Sequence, residues 1–368
     1  ENGPIPMIFT AFPKDELRPS EKVAAGKTRV VFSCDVVNTL LIRKYFGAFA
    51  SWYQDPKNRF KNSSAVGMNV ADQFECRTFA EKLGNGSLTC DVKAGDYSGF
   101  DKTLPSYVID AVWKVYEAFF GPLMTPTELK IAKNIFISFT KPYIQYKDCV
   151  IEWDNSNPSG NPITTILNTI CNNVVLRYGV ARSLGCFSFK DTLKTLKDLY
   201  ADRIVEYICY GDDNAWKVDV YKLKKYGSAI ITYASMAEAL LEMGLVYTDE
   251  VKSDHFDEER RTVFDISFLK RTLECREGVY FMKLSLDTLT QNIQWQKKKD
   301  VDGELYRVKC EGFLDELSAH DQATWDFWFT EFYSAAKRVD PRRNLMVQWG
   351  RSKEDRVSDF LARGCEYW

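Results

Sequence analysis

Apolar positions along the chain fall into short periodic stretches separated by breaks rich in Gly, Pro and Asn. Two runs, Val205–Cys209 and Ala215–Val218, alternate and carry β-branched or aromatic residues (Val205, Tyr207, Trp216, Val218). That period predicts a half-buried strand pair, with Gly211 supplying the turn in Tyr210-Gly211-Asp212-Asp213. A further strand-like stretch, Ser87–Val92, precedes Gly95-Asp96-Tyr97-Ser98-Gly99-Phe100-Asp101. Helical spacing predicts a helix over Leu104–Phe120 ended by Gly121, one from Pro162 to about Tyr178, and one near Ser228–Met243 ended by Gly244. Pro162, after the flexible Ser159-Gly160 pair, reads as a first helical position. Near the C-terminus Trp325, Trp328, Phe329 and Phe332 recur at helical spacing, with Asp321 near the start and Pro341 at the end. Such a stripe is more often packed core than a base-stacking platform.

The chemistry sits at the breaks. Asp212 and Asp213 put adjacent carboxylates on a hairpin tip, a place to hold divalent metal, although a Gly-Asp pair in isolation is as often a plain turn. Phosphoryl transfer with two metals needs carboxylates converging from separate strands, because each ion also binds substrate phosphates. Asp96, at a strand end, would meet Asp212 in that way. Asp101 alone is equally well read as part of a turn capping the next helix. Thr164 and Asn168 are four residues apart and share one helix face, which in isolation would be a solvated polar stripe.

Taken in order, these three elements resemble motifs A, B and C of RNA-dependent RNA polymerases of picornavirus-like positive-strand RNA viruses. Lys14-Asp15-Glu16-Leu17-Arg18 with Lys22 and Gly26-Lys27-Thr28-Arg29 resembles motif F, Gly244-Leu245 through Lys252-Ser253 motif D, and Phe268-Leu269-Lys270-Arg271 motif E. The run Ala94–Ser98 and Asn214 lean toward the arthropod and marine picorna-like groups.

The resemblance implies an α+β, right-handed polymerase fold. Its fingers would span 1–86 and an insertion at 122–158. Its palm, a small antiparallel sheet backed by helices, would span 87–121 and 159–275, and a helical thumb 276–368. It implies template-directed RNA synthesis from ribonucleoside triphosphates, with Asp96, Asp212 and Asp213 as ligands of two magnesium ions, manganese being able to substitute. Lys252 would act as general acid toward the leaving pyrophosphate. Lys14, Arg18, Lys22, Lys27 and Arg29 would meet the triphosphate, and Asp101, Ser159, Gly160, Thr164 and Asn168 the ribose, whose 2′-hydroxyl marks RNA. Phe268, Leu269, Lys270 and Arg271 would grip the primer. The implied partners are RNA template and primer, nucleotides, a protein primer and other viral replication proteins. The implied place is the host cytoplasm, at membrane-associated replication complexes reached through partners. Relatives carry a substantial segment ahead of the Lys14 motif that forms an index finger; with 13 residues before Lys14, the expectation is a chain lacking that segment, cut from a longer polyprotein-derived enzyme.

Composition changes the picture little. A length of 368 residues, 45% of them hydrophobic, suits a sizeable core. The net charge of −2 is no whole-chain nucleic-acid signature, so RNA contact must rest on local patches. The best is Lys14–Arg29, diluted by Asp15, Glu16 and Glu21; a charge run like this is usually a solvated face, and its place ahead of the palm motifs is what favours a phosphate channel. Lys297-Lys298-Lys299 stays open between a solvated loop and an RNA contact, and Arg342 and Arg343 are candidate backbone contacts to the product duplex. The 10 cysteines show no paired close spacing and, with only His255 and His320 beside them, no zinc-finger pattern; the cysteines read as reduced, mostly buried thiols of a cytosolic protein. Three rivals share some features. A reverse transcriptase would not carry the Ser-Gly…Thr…Asn helix, a scaffold protein needs no acidic positions in register, and a palm-type nucleotide cyclase would lack Phe268–Arg271 and the helical tail.

Overall fold

In the computed structural model, which describes residues 3–154, 157–226, 230–253, 255–295, 304–339 and 350–365, the chain forms two units. The first, Glu1–Met68 with Lys82–Thr262, holds strands β1 (Ile8–Pro13), β2 (Val30–Cys34), β3 (Cys90–Tyr97), β4 (Tyr143–Tyr146), β5 (Cys149–Glu152), β6 (Val205–Tyr210), β7 (Asp213–Asp219) and β8 (Tyr247–Asp249). The second, Asn69–Glu81 with Val263–Trp368, holds β9 (Ser267–Phe268), β10 (Arg271–Arg276) and β11 (Val279–Leu284).

The sheet that matters for chemistry has the order β6-β7-β3-β8 and is antiparallel throughout. The expected hairpin forms, but its strands are buried on nearly every position rather than on alternate ones. The helix Thr164–Ser183 packs on β6, and the polar positions that should face water are paired instead. Glu206 lies opposite Lys217 and binds Lys82 at 2.7 Å. Burial works against ionising Glu206, yet Lys82 and Arg203 hold its carboxyl below the usual range. The outer edge of β6 is occupied by the 62–66 segment, where the Cys209 N–H donates to the Ser63 carbonyl and the Ala65 N–H to the Cys209 carbonyl. The strand expected at Ser87–Val92 starts later, at Cys90, and runs through Asp96, because β8 continues the pairing of Gly95–Tyr97 beyond the end of β7.

Helices back this sheet. Ser106–Phe120 starts after Pro105. Thr164–Ser183 begins two residues beyond Pro162, which lies in the preceding turn instead of at the first helical position. Tyr233–Leu241 is capped by Thr232 through a reciprocal bond with Ser235, so its start lies later than Ser228, a residue outside the described ones. The 122–158 stretch supplies the helix Pro126–Thr140 and the β4–β5 hairpin, and its strands join β1 and β2 in a second sheet of order β2-β1-β4-β5. Rings of Phe46, Phe49, Tyr116 and Phe139 pack together.

In the second unit, both sides of the Gln73 amide pair with the backbone of Tyr280 at 2.8 Å. Phe268 packs against Phe79 with the rings tilted by 33°, and the segment 263–275 packs with the C-terminal residues. The aromatic stripe lies on the helix Gln322–Val339, capped by Asp321, and Trp325 is buried with Phe313, Leu314 and Leu317. Lys297–Lys299 and Pro341–Arg343 lie outside the described residues. Among the described residues no helix is long and apolar enough to cross a membrane, and Cys34, Cys76, Cys90, Cys149, Cys171, Cys186, Cys209, Cys275 and Cys310 are free, with Cys149 and Cys275 exposed.

Candidate active site

Tyr210 pairs with Asp213 across the hairpin, so Gly211 and Asp212 alone form the turn. Gly211 has φ 61, the left-handed value a two-residue hairpin turn requires. What fixes the turn in space is the neighbouring helix. Asn172, fully buried, aims Nδ2 at the carbonyls of Gly211, Asp212 and Asp213 at 3.0, 2.8 and 3.3 Å. Its Oδ1 accepts from the Tyr97 hydroxyl at 3.0 Å. The Gly211 N–H donates to Thr169 Oγ1 at 2.8 Å. The sequence reading singled out neither Thr169 nor Asn172. The available signal was Asn172-Asn173 set between apolar pairs in one helix, since buried polar residues are the informative exception in a core.

Asp96 stands on β3 opposite Thr248 of β8. The preceding Gly95 is a steric requirement: a Cβ there would lie 2.0 Å from the Tyr247 hydroxyl. That hydroxyl accepts from Trp216 Nε1 at 2.9 Å and donates to Asn214 Oδ1 at 2.8 Å, locking β7 to β8 across β3. Asp96 Oδ1 accepts the Tyr97 N–H at 2.7 Å, and Oδ2 faces Lys252 Nζ at 2.6 Å. Lys252 occupies the left-handed region with φ 58. Buried Asp249 holds it there by accepting the Ser253 N–H and hydroxyl, while its carbonyl accepts the Lys252 N–H. Behind this turn, Arg261 binds Glu250 at 2.7 Å, and the Tyr233 hydroxyl bonds both backbone groups of Ala94.

Burial pushes the Asp212 carboxyl above its ordinary range; the negative charges of Asp101 and Asp96 add to this, while its own backbone N–H and Lys252 oppose it. The Asp212 carboxyl therefore feels the charges of Asp96, Asp101 and Lys252 together. Asp101 is likewise raised by burial, against the hydrogen bond from Asn168 and the charge of Arg29.

Asn168 is buried, not solvated, and its Nδ2 donates to Asp101 Oδ1. Thr164 is a turn earlier, its hydroxyl 2.7 Å from the Pro158 carbonyl and 2.8 Å from that of Asn161. Ser159 Oγ accepts the Phe32 N–H at 3.1 Å, and a Cβ on Gly160 would lie 2.0 Å from the Phe32 carbonyl, so this loop is pinned against β2. Ser159 and Gly160 thus hold backbone, whereas Asp101 and Asn168 meet directly.

In the basic strip Glu16 is a hub and not a dilution: Lys14, Arg18 and Arg29 converge on it at 3.1, 3.5 and 3.4 Å. Arg18 also donates to the Lys27 carbonyl, and the backbones of Lys14 and Arg29 pair. Lys22 lies on the exposed five-residue helix Ser20–Ala24, and Lys27 is exposed as well. In the second unit Leu269 and Lys270 form a left-handed turn between β9 and β10, Phe268 is buried, and Arg271 grips Glu316 with two bonds.

Among the described residues no three His, Cys, Asp or Glu side chains form a complete metal-holding cluster. Magnesium does not require one, since one or two carboxylates plus water and substrate phosphates satisfy it. Hard oxygen donors on Asp96 and Asp212, with the Asp212 carboxyl pushed up by burial and further by the charges of Asp101 and Asp96, fit such a cation.

Comparison with known proteins bears on the family and the fold. The profile described as viral RNA-dependent RNA polymerase matches residues 1–337. The replicase polyprotein of Drosophila C virus (strain EB) is 28% identical over 329 residues, 87% of this chain and 18% of the polyprotein. That of Acute bee paralysis virus (strain Rothamsted) is 28% identical over 337 residues, 88% and 16%. The genome polyprotein of Human hepatitis A virus genotype IIA (isolate CF-53) is 27% identical over 295 residues, 79% and 12%. The chain thus spans less than a fifth of the length of these relatives. The solved Sicinivirus 3Dpol RNA dependent RNA polymerase has the same fold, with TM-score 0.71, 21% identity, and 98% of this chain and 68% of that one covered.

Proposed function

This chain belongs to the viral RNA-dependent RNA polymerase family, and on that premise we propose that it carries out template-directed nucleotidyl transfer from ribonucleoside triphosphates to an RNA primer 3′-hydroxyl, replicating a picorna-like viral genome. The observation that carries the reading is the convergence of Asp96, Asp212 and Lys252 beside the Asp101–Asn168 pair.

Two magnesium ions, held by Asp96 and Asp212 with Asp213 auxiliary, would when bound acidify the primer hydroxyl and neutralise phosphate charge. The side chains have distinct tasks. Asn172 and Thr169 hold the Asp212 turn so that its carboxylate is oriented before substrate arrives. Lys252 donates a proton to the leaving pyrophosphate. Arg29, Lys22, Lys14, Arg18 and Lys27 meet the triphosphate, where guanidinium forks suit phosphate oxygens and can exchange Glu16 for them. Asp101, on the short helix Phe100–Thr103, and Asn168, on the helix whose leading loop is held by Thr164, Ser159 and Gly160, read the 2′-hydroxyl. Half-buried Leu269 and exposed Lys270 at their turn, on the base formed by Phe268 and Arg271, grip the primer. A protein primer and other replication proteins would complete the machinery and bring it to membrane-associated complexes in the host cytoplasm.

Purified protein given magnesium, a primed RNA template and ribonucleotides should add the complementary nucleotide. Addition independent of template, or equal use of deoxynucleotides, would overturn the reading in favour of a terminal transferase or a reverse transcriptase.

A further inference from the structure

Asn157 lies outside every motif singled out above and is 1% exposed. Its Nδ2 donates to Asn168 Oδ1 at 2.7 Å and to the Thr164 carbonyl at 3.0 Å, one turn apart on the same helix. Its Oδ1 is buried without a hydrogen-bond partner among the described residues. A buried acceptor left unpaired costs stability, so this amide is not explained by stability alone.

The bond to Asn168 has a definite chemical consequence. A side-chain amide can turn over, exchanging its carbonyl and its NH2. Asn157 presents a donor, so Asn168 must present Oδ1 to it and turn Nδ2 toward Asp101, which is the bond observed. With Asn168 reversed, its carbonyl oxygen would face the Asp101 carboxylate, acceptor against acceptor. The relay Asn157 to Asn168 to Asp101 therefore has one polarity. It leaves Asp101 able to accept from a sugar hydroxyl and the second N–H of Asn168 able to donate to it.

We propose that Asn157 is a specificity-determining positioning residue: through its bond to Asn168 Oδ1 it fixes the donor and acceptor polarity with which Asn168 and Asp101 recognise the ribose 2′-hydroxyl. This rests on the reading of those two residues as the sugar-sensing pair. Asn157 touches the sensor, not the nucleotide. Its loss blurs the choice between ribonucleotide and deoxyribonucleotide more than it slows addition in general.

The test measures kcat/KM for ATP and for 2′-deoxyATP opposite template uridine in the full chain. Asn157→Asp keeps the shape and removes the donor; Asn157→Leu removes both polar ends and keeps the bulk. Both should lower the ATP to 2′-deoxyATP ratio about tenfold, with most of the loss on the ATP side, as befits loss of one discriminating polar contact. Asn168→Ala should lower the ratio at least as far, and Asn157→Asp added to it should lower it no further. Should Asn168→Ala leave the ratio intact, the sugar-sensing reading itself fails. Should Asn168→Ala lower it while both Asn157 variants keep it, or slow the two nucleotides equally, Asn157 is a packing residue and the inference is overturned. Equilibrium binding of the two nucleotides to the enzyme–RNA complex gives the same comparison without turnover.

Discussion

Lys252 Nζ lies 2.6 Å from Asp96 Oδ2, joining a lysine side chain that is 61% exposed to a carboxylate that is 18% exposed. An ion pair with one partner so open to water contributes little to stability. It is easily exchanged when a phosphate group competes for the lysine or a cation for the carboxylate. The pair thus stores the proposed proton donor beside the site at small energetic cost, and the left-handed backbone of Lys252, braced by Asp249, keeps it there.

From that follows a prediction for turnover. Lys252→Leu should reduce single-turnover nucleotide addition by about 10²–10⁴-fold, the usual yield of a positioned general acid, with RNA affinity unchanged. Rapid-quench kinetics decides it: an addition rate within threefold of the parent removes Lys252 from the chemistry.

Asp212→Asn replaces a charged ligand by a neutral amide in a turn whose three carbonyls remain bound to Asn172. Magnesium-dependent incorporation should vanish while RNA binding persists. Turnover comparable to the parent's, from purified variant, rejects Asp212 as a metal ligand.

The same substitution has the opposite effect on metal-free stability. Burial, with Asp101 and Asp96, raises the Asp212 carboxyl in the folded chain above its unfolded value. The folded state therefore holds more protons between those two values, and stability falls as pH rises through that window. Asp212→Asn removes this penalty. Melted in chelator, the variant should exceed the parent's midpoint at neutral pH, and the advantage should close as pH falls below the unfolded carboxylate range. An advantage independent of pH would mean that packing, not charge, is responsible.

Much of this was legible in the sequence because it is local. The Gly211 turn, the β3 carboxylate and the Thr164–Asn168 spacing are each written within a few residues. What escaped was the set of buried polar residues that tie those pieces together. Asn172 reaches Gly211, 39 residues away, and Tyr97, 75 away, and no local period encodes either contact. The alternation makes these strands look half-buried, because Glu206 and Lys217 look like solvent positions until Lys82, distant in sequence, is brought against Glu206. Glu16 looks like a dilution of the basic strip for a similar reason, since only its three partners in space show it to be the centre. Gly95 carried a usable signal, because Gly inside a strand often marks a close approach, here by the Tyr247 hydroxyl.

Asn172 offers the sharpest test of how the turn is held. Asn172→Ala would leave buried carbonyls of the Gly211–Asp213 turn and the Tyr97 hydroxyl without this partner, a loss of about 1–3 kcal/mol in unfolding free energy. A catalytic group displaced by about an ångström can lower turnover on the order of 10²-fold, so kcat should fall steeply with KM nearly unchanged. Asn172→Asp keeps the shape but turns an acceptor toward carbonyl oxygens, and should be less stable than the alanine variant at neutral pH. Denaturant titration combined with steady-state extension separates the effects. If Asn172→Asp proves as stable and active as the parent, the turn is held by Thr169 and strand pairing, and the Asn172 contacts are incidental.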